Sequence, residues 1–386
     1  MREVAIIGIG QTRVEEQWDQ SLRVLAGNAV LAALENSRLP AVDGIYVGNM
    51  MAGSASRQQH LGSYIADWVG MRYAEALRVE AACSSGAAAF RAALMAVASG
   101  DIDTAIAVGV EKMTDSPGGE ITAQLATAAD ADWEGDMGLS FVALNALIMR
   151  RYLHEYGWKH SDLAGFSVNA HANGTHNPYA RFQEPITEAQ FNKATMIADP
   201  INLLDSSPMG DGAAAAVLVP VEMLNRLPGV PVIKVVGSGA ATDTIAVHGR
   251  SDPLWLKAAE ISVKQAYSQA GVKPQDIDLF EAHDAFTIMA ALSLEACGFA
   301  ERGQGPRLAL DGEISPTGRV PIATRGGLKA RGHPVGATGV YQIVEAVQQL
   351  RSQAGASQVE GARYGMTQNI GGSGSNIITH ILTNVN

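Results

Sequence analysis

One cysteine and two histidines stand in three separate motifs whose residue types are suited to nucleophilic catalysis. Cys83 lies in VEAACSSGAAAF, His283 in EAHDAF and His333 in GGLKARGHPVGATG. A thiol becomes a strong nucleophile when it loses its proton, and a nearby imidazole can accept that proton. The sequence therefore offers one nucleophile and two acid–base groups, provided that the fold brings three distant segments together.

The residues around Cys83 and His333 predict that each stands at the start of a helix. Glycines on both sides of His333 permit a tight turn, and Pro334 suits the first turn of a helix, where the backbone N–H has no helical partner. Ser84 and Ser85 are candidate helix caps beside Cys83. Because the partial positive charge of a helix N-terminus favours a thiolate, we expect a lowered pKa for the Cys83 thiol.

An internal repeat indicates how these residues are positioned. The segment 25–49, LAGNAVLAALENSRLPAVDGIYVGN, matches the segment 259–283, AEISVKQAYSQAGVKPQDIDLFEAH. Each predicts an amphipathic helix, a proline-marked loop and a short apolar strand. The match pairs Asn49 with His283, so His283 is expected directly after a strand.

A second match places Cys83 and His333 at equivalent positions. Pairing CSSGAAAFRAALMAVASG with HPVGATGVYQIVEAVQQL also pairs Gly86 with Gly336. Both helices are rich in small and apolar residues, which predicts that they are buried against each other between sheets. If they pair around a pseudo-twofold axis, Cys83, His333 and His283 meet at one rim.

The repeat predicts an α/β chain of two pseudo-twofold-related βαβαβ-type halves with mostly parallel sheets. We assign residues 1–114 with 204–228 to the N-terminal half and residues 229–386 to the C-terminal half. The intervening residues 115–203 are interpreted as a loop-rich insertion that covers the site.

Composition excludes several classes of function. Lys and Arg total 28 and Asp and Glu total 39, so the net charge is −11, which argues against a nucleic-acid surface. No apolar run approaches the ~20 residues of a membrane span, and the two cysteines, Cys83 and Cys297, fit a reducing compartment. We expect a cytoplasmic protein without a membrane segment. His171 and His176 have no clustered carboxylate or thiol partners, so no catalytic metal is predicted.

Four motifs in order, VEAACSSGAAAF, SPMGDGAAAAVL, EAHDAF and GGLKARGHPVGATG, together resemble the thiolase superfamily over essentially the whole chain. The sub-pattern is similar to archaeal-type and sterol-carrier-protein-type thiolases, in which HDAF replaces the usual NEAF. The resemblance implies a thiolase fold with an αβαβα layered core. It also implies coenzyme A thioesters as substrates, no permanently bound cofactor, and a homodimer or homotetramer.

The resemblance also implies roles for individual residues. Cys83 matches the nucleophile that becomes acylated, and His333 matches the histidine that activates it and helps to hold a thioester oxygen. His283 stands where the usual family has an oxyanion-hole asparagine. A second oxyanion hole would use the backbone N–H groups of Cys83 and Gly371.

The chain departs from the family at the second acid–base group. Thiolases usually carry another cysteine on a C-terminal glycine-rich loop, where this chain has Asn369, and some relatives carry one after HD, where this chain has Ala285. We infer that His283 deprotonates the second acyl-CoA; alternatively, His333 performs both proton transfers.

Further residues are candidates for contact with substrate. Met137 resembles a pocket-lining methionine and Ser238 a pantetheine contact, and Asn369 faces the same site by position. Lys329 and Arg331 could meet the phosphates of coenzyme A or could be solvated or paired with carboxylates.

The predicted activity is reversible Claisen condensation and thiolysis of acyl-CoA through an acyl-cysteine, most simply of two acetyl-CoA to acetoacetyl-CoA. A carrier-dependent ketoacyl synthase or a thiolase-like aldolase is the alternative enzyme. A subunit with low activity outside a multi-protein complex is an alternative of another class, since archaeal-type relatives associate with a synthase and a zinc-ribbon/OB-fold protein.

Overall fold

The strands lie in both halves of the chain. The computed structural model describes residues 2–227 and 229–384. The strands are β1 (Val4–Gln11), β2 (Gly44–Gly48), β3 (Glu75–Val79), β4 (Ala105–Glu111), β5 (Met196–Ala198), β6 (Ile201–Asn202), β7 (Gly212–Pro220), β8 (Ile233–Thr242), β9 (Leu279–Glu281), β10 (Tyr364–Gly371) and β11 (Asn376–Asn384).

The α-helices alternate with these strands and also occupy the inserted segment. They are α1 (Leu22–Ser37), α2 (Leu61–Trp68), α3 (Ser85–Ser99), α4 (Gly118–Ala126), α5 (Phe141–Tyr156), α6 (Ala164–Gly174), α7 (Glu188–Lys193), α8 (Lys257–Ala270), α9 (Thr287–Ala296), α10 (Gly305–Leu310) and α11 (Thr338–Leu350).

The main sheet shows the predicted duplication directly. Its strand order is β3-β2-β4-β7-β1-β8-β11-β10-β9. Residues 4–6 of β1 pair antiparallel with residues 233–235 of β8 at the centre. Outward from this junction, β1, β7, β4 and β2 on one side correspond to β8, β11, β10 and β9 on the other. Beyond β9, Phe280 and Ile322 form a parallel bridge where the first half has β3.

Two helices, α3 and α11, lie between the halves of the sheet. α3 packs on β2 and β4 and against α11, while α11 packs on β10 of its own half and on β7 of the other half. The outer faces are covered by α1 on β1 and by α8 on β8. This is the predicted αβαβα arrangement. The prediction of mostly parallel sheets is wrong, because five of the eight strand pairings that the described residues form in the main sheet are antiparallel, and only β2 with β3, β2 with β4 and β9 with β10 are parallel.

Glycines in the central strands let the outer helices approach closely. A Cβ at Gly10 in β1 would lie 2.2 Å from the carbonyl oxygen of Ala29 in α1, and one at Gly239 in β8 would lie 2.0 Å from that of Ser262 in α8. Any larger residue would force helix and strand apart. The GIG sequence of β1 (residues 8–10) and the GSG sequence of β8 (residues 237–239) therefore allow the equivalent helix–strand contact in each half.

The inserted segment is more helical than expected. It contains α4 to α7 and the short strands β5 and β6. Tyr152 of α5 and Phe166 of α6 are fully or almost fully buried in one apolar cluster with α9 and the C-terminal half. The segment is therefore an integral part of the core as well as a cover.

One helical stretch, Ala82–Ser99, is long and apolar enough to cross a membrane by length and composition alone. Its helix α3 packs inside the molecule against α11 and β4. Burial between the two halves explains its apolar composition.

Candidate active site

Cys83 lies on a strained turn immediately before α3. Ala82 has a φ of 51°, a left-handed conformation that costs energy for a residue with a Cβ. Ser84 Oγ donates to the Ala81 carbonyl across 2.6 Å, and Ser85 Oγ donates to the Ala82 carbonyl across 2.6 Å. The predicted capping role of these two serines is wrong, since neither caps α3; they hold the turn that presents the thiol.

His333 lies on the loop before α11. Gly332 has a φ of 104°, and the His333 N–H donates to the Pro208 carbonyl across 3.1 Å. A hydrogen-bonded turn from Pro334 precedes the helix, which begins at Thr338. The proline therefore starts a turn, and the helix begins four residues later than predicted.

Hydrogen bonding fixes which nitrogen of His333 is free. His333 Nδ1 lies 2.7 Å from Thr338 Oγ1, and the Thr338 hydroxyl donates to the Pro334 carbonyl across 3.1 Å. Because that hydroxyl hydrogen is used, its oxygen accepts the Nδ1–H of His333. The Nε2 of His333 keeps its lone pair and is the basic nitrogen.

His283 has the opposite tautomer. It follows β9 by two residues, and its Nδ1 lies 2.9 Å from Nδ2 of Asn369, whose amide donates the hydrogen bond. The hydrogen of the neutral His283 ring is then on Nε2. The two rings meet edge to face, with centroids 5.1 Å apart and planes at 86°.

Burial keeps both imidazoles neutral. It lowers the pKa of His283 to about 3, with a further contribution from the charge of Arg331. It lowers the pKa of His333 well below the usual range, helped by His283 and Arg331. Their environments therefore provide one neutral proton acceptor and one neutral proton donor side by side.

The Cys83 thiol is protonated in the resting site. Burial raises its pKa to about 12, the charge of Glu111 adds to this, and the backbone N–H of Gly372 acts in the opposite direction. The helix N-terminus was predicted to lower the pKa of the Cys83 thiol, but the loss of solvation raises it by more. The resting pair is thiol and neutral imidazole, and proton transfer has to accompany attack on a substrate.

All three side chains line one cavity of about 340 Å³. Gly372 also lines it, whereas Gly371 lies inside the end of β10, so Gly372 provides the backbone N–H beside the sulfur. The remaining wall comes from α4, the first turn of α5, residues 203–209 and the start of α9.

Glu111 was not found by sequence reasoning, although it joins two loops of the site. Its buried carboxylate accepts hydrogen bonds from Asn49 Nδ2 (2.8 Å) and from the backbone N–H groups of Met50 (2.9 Å), Met51 (3.1 Å) and Gly336 (3.0 Å). It ties the loop after His333 to the first half. The internal repeat could have revealed Glu111. Asn49 is the repeat partner of His283, and each of them hydrogen-bonds to the strand beside its own: Asn49 to β4, which contains Glu111, and His283 to β10, which contains Asn369.

Several predicted substrate contacts lie elsewhere. Met137 does not line this cavity, and it is 70% exposed. Ser238 is buried and accepts a hydrogen bond from Arg91 across 2.6 Å, outside the cavity wall. Asn369 acts through His283 and does not itself line the cavity.

The two cations before His333 are not available to phosphates. Lys329 is buried and its ammonium donates to the Asp205 carbonyl. Arg331 is fully buried, with Nε 3.2 Å from Glu345 Oε1 and its guanidinium 4.8 Å from the ring centre of Tyr341. They belong to the core behind the histidines, because the sequence between the glycines folds into a buried turn.

Two family models cover the chain. The thiolase N-terminal domain matches residues 4–222, and the model described as thiolase C-terminal domain-like matches residues 239–384. Residues 223–238, which include the first part of β8, lie between the two matches.

Full-length relatives include two archaeal enzymes. The acetyl-CoA acetyltransferase of Methanothermobacter thermautotrophicus is 46% identical over 99% of this chain and 100% of the relative. The acetyl-CoA acetyltransferase of Methanocaldococcus jannaschii is 39% identical over 99% of both chains.

A solved structure, the "Ltp2-ChsH2(DUF35) aldolase", superposes with a TM-score of 0.86 at 26% identity, covering 99% of this chain and 98% of that one. The family models, the archaeal relatives and the duplicated fold agree with the site geometry. The chain belongs to the thiolase superfamily.

Proposed function

We propose that this protein is a thiolase-type acyltransferase that moves acyl groups between coenzyme A thioesters through an acyl-Cys83 intermediate. It condenses two acetyl-CoA to acetoacetyl-CoA and coenzyme A, or cleaves a longer 3-ketoacyl-CoA in the reverse sense. The observation that carries the proposal is the pair of opposite tautomers: a basic Nε2 on His333 and an Nε2–H on His283, both at the cavity of Cys83.

In the first half-reaction, the sulfur of Cys83 attacks the thioester carbonyl while His333 Nε2 takes the thiol proton. The tetrahedral intermediate breaks its carbon–sulfur bond to coenzyme A. The departing thiolate takes the proton from the His333 imidazolium, which leaves acyl-Cys83, free coenzyme A and a neutral His333.

In the second half-reaction, His333 Nε2 is again neutral and can take the α-proton of an acetyl-CoA. The enolate carbon attacks the acyl-Cys83 carbonyl, the carbon–sulfur bond to Cys83 breaks, and the Cys83 thiolate recovers the proton. Of the two alternatives open at the level of sequence, this favours His333 for both transfers, because the ring proton of His283 is on the nitrogen that is not bonded to Asn369.

His283 then stabilises developing negative charge on oxygen. Its Nε2–H replaces the amide of the usual asparagine, and the backbone N–H groups of Cys83 and Gly372 serve a second oxyanion. A preorganised donor of this kind contributes about 3 kcal/mol to the transition state.

The phosphates of coenzyme A require cations other than Lys329 and Arg331. A second cavity of about 520 Å³ lies along α5, as the catalytic cavity does. Its lining includes Trp133, Arg151, His248 and Arg250, together with one carboxylate, Glu134, and several apolar side chains. Arg250 is buried, and its Nη2 has no hydrogen-bond partner among the residues that the structure describes. We assign this cavity to the nucleotide portion, since three basic side chains and an indole suit phosphate and adenine.

One observation supports the aldolase alternative: the chain is similar to the solved structure of the Ltp2-ChsH2(DUF35) aldolase. Retention of Cys83 with a proton acceptor favours acyl transfer instead. That structure also contains a second protein, ChsH2(DUF35), which supports a protein partner for this chain. We propose a zinc-ribbon/OB-fold protein and a synthase as the partners. We propose a homodimer or homotetramer in the cytoplasm as the working assembly.

Mass spectrometry of the intact protein tests the acyl-cysteine. Mixing with acetyl-CoA or acetoacetyl-CoA should add one acetyl group, and peptide mapping should place it on Cys83. Cys83→Ala should remove the adduct, whereas Cys297→Ala should retain it because Cys297 is buried on another helix end. Acylation that survives in Cys83→Ala would refute the mechanism.

A further inference from the structure

The cavity at Cys83 is much larger than an acetyl group requires. Its volume is about 340 Å³. In the same measure, a cavity needs about 10–15 Å³ to hold one water molecule, which is comparable in size to a methyl group. An acetyl methyl beside the sulfur would fill only a small part of the cavity, and the rest is open to the pantetheine arm and to a longer acyl group.

The wall away from the three catalytic side chains is mainly apolar. It includes Leu125, Phe141, Val142, Phe286 and Met289. Apolar walls of this kind bind apolar surface and penalise unpaired polar groups. The wall is therefore matched to hydrocarbon.

Part of this apolar wall belongs to the inserted segment. Leu125 is in α4, and Phe141 and Val142 are in the first turn of α5. The catalytic side chains come from the duplicated core. The inserted segment thus helps to shape the cavity but supplies none of the three catalytic side chains.

Two polar atoms of the wall have no hydrogen-bond partner within residues 2–227 and 229–384. They are Oδ1 of Asn145 and Oγ of Ser206. The pantetheine arm carries amide groups that need such partners when they leave water. Both residues line the cavity and are candidates to pair with the arm, which leaves the apolar residues of the wall for the other substituent of the thioester.

We propose that the acyl group transferred to Cys83 is an apolar chain longer than acetyl, on the order of six to eight carbons. The inference rests on the proposed acyl-Cys83 chemistry and adds its substrate class. Each methylene that enters the cavity should improve acylation about fourfold, the factor expected for removing a CH₂ from water.

Acylation rates distinguish the chain lengths. The full-length protein is mixed with acetyl-, butyryl-, hexanoyl- or octanoyl-CoA, and acyl-Cys83 is followed by intact mass spectrometry under single-turnover conditions. We expect the second-order rate constant to rise from acetyl to hexanoyl by at least about tenfold. A rate constant that is flat or highest for acetyl overturns this inference and leaves the proposed function intact, whereas no adduct with any thioester overturns both.

Filling the cavity tests its role directly. Leu125→Trp should lower the hexanoyl-to-acetyl rate ratio by at least about tenfold, because the indole occupies the space of the chain. The matched control is Leu31→Trp on the exposed side of α1, which should leave the ratio unchanged. An unchanged ratio in Leu125→Trp, with a normal melting temperature, would show that the chain does not enter this cavity.

Discussion

The side-chain amide of Asn369 donates a hydrogen bond to Nδ1 of His283 across 2.9 Å. This bond places the ring hydrogen of the neutral His283 on Nε2. In the proposed mechanism Asn369 is therefore a positioning residue for His283, which donates from Nε2 to the developing oxyanion.

Replacing Asn369 with aspartate tests this arrangement. A carboxylate accepts the Nδ1–H of His283, so the neutral ring loses its Nε2–H donor, and only the imidazolium can still donate from Nε2. We expect kcat at pH 8 to fall by about 100-fold. The new carboxylate should raise the pKa of His283 above its wild-type value, so kcat should recover as the pH falls toward that raised pKa.

The pH profile of kcat is the measurement, and Asn28→Asp on the exposed face of α1 is the charge-matched control. Wild-type activity of Asn369→Asp at pH 8 would show that the tautomer of His283 does not matter.

Thr338 should control the other tautomer. Thr338→Val removes the acceptor for the Nδ1–H of His333, so the ring is no longer held with a basic Nε2. We expect kcat/KM to fall about tenfold, and Thr338→Ser, which keeps the hydroxyl, to remain near wild type. NMR of ¹⁵N-labelled histidine reports the tautomer in both variants; equal tautomer populations and equal rates would contradict the assignment.

Alkylation of Cys83 should increase with pH without a plateau below pH 9. The pKa of the thiol is raised to about 12, so the thiolate fraction grows about tenfold per pH unit throughout this range. Iodoacetamide labelling of the Cys297→Ala variant between pH 6 and 9 measures only Cys83. A plateau beginning near neutral pH would instead indicate a preformed thiolate–imidazolium pair.

Acid should destabilise the fold through its buried histidines. Burial lowers the pKa of His283 and of His380 to about 3, whereas an unfolded histidine titrates near 6.5. Between these pH values the unfolded chain binds more protons, so the free energy of unfolding decreases as the pH falls.

Thermal melts at pH 7, 5.5 and 4.5 measure this dependence. His380→Gln, which removes a buried imidazole that packs against Phe90, should flatten it, and His154→Gln at an exposed position should not. Identical pH slopes for the wild type and His380→Gln would refute the account.

Arg331 should contribute to stability and have little direct effect on coenzyme A binding. Burial raises the pKa of Glu345 to about 8 even beside Arg331, so the pair is fully charged only above that pH. At pH 9, Arg331→Met leaves the buried Glu345 carboxylate without its ion-pair partner, which costs about 3–5 kcal/mol of the free energy of unfolding. Adding Glu345→Met should restore part of the loss, because the uncompensated carboxylate is gone. Denaturant unfolding measures both; an increased KM for coenzyme A with unchanged stability would instead support a phosphate contact.

The sequence by itself determined the duplication and its chemical consequence. The two matched helix–loop–strand segments predicted the symmetric halves, and the equivalence of Cys83 with His333 predicted that they meet. Both predictions were possible because hydrophobic periodicity and motif order can be read directly from the sequence. Packing in a sheet or in a helix pair requires these patterns.

Only the tertiary structure decided the electrostatics and the walls of the site. Helix-start reasoning predicted a lowered pKa for Cys83, but burial raises it, and Lys329 and Arg331 are core cations despite their loop-like context. The tautomers of His283 and His333 depend on Asn369 and Thr338, and the acyl cavity depends on the packing of α4 and α5 over the core. Solvation and side-chain partners depend on residues distant in the chain, so no local pattern could reveal them.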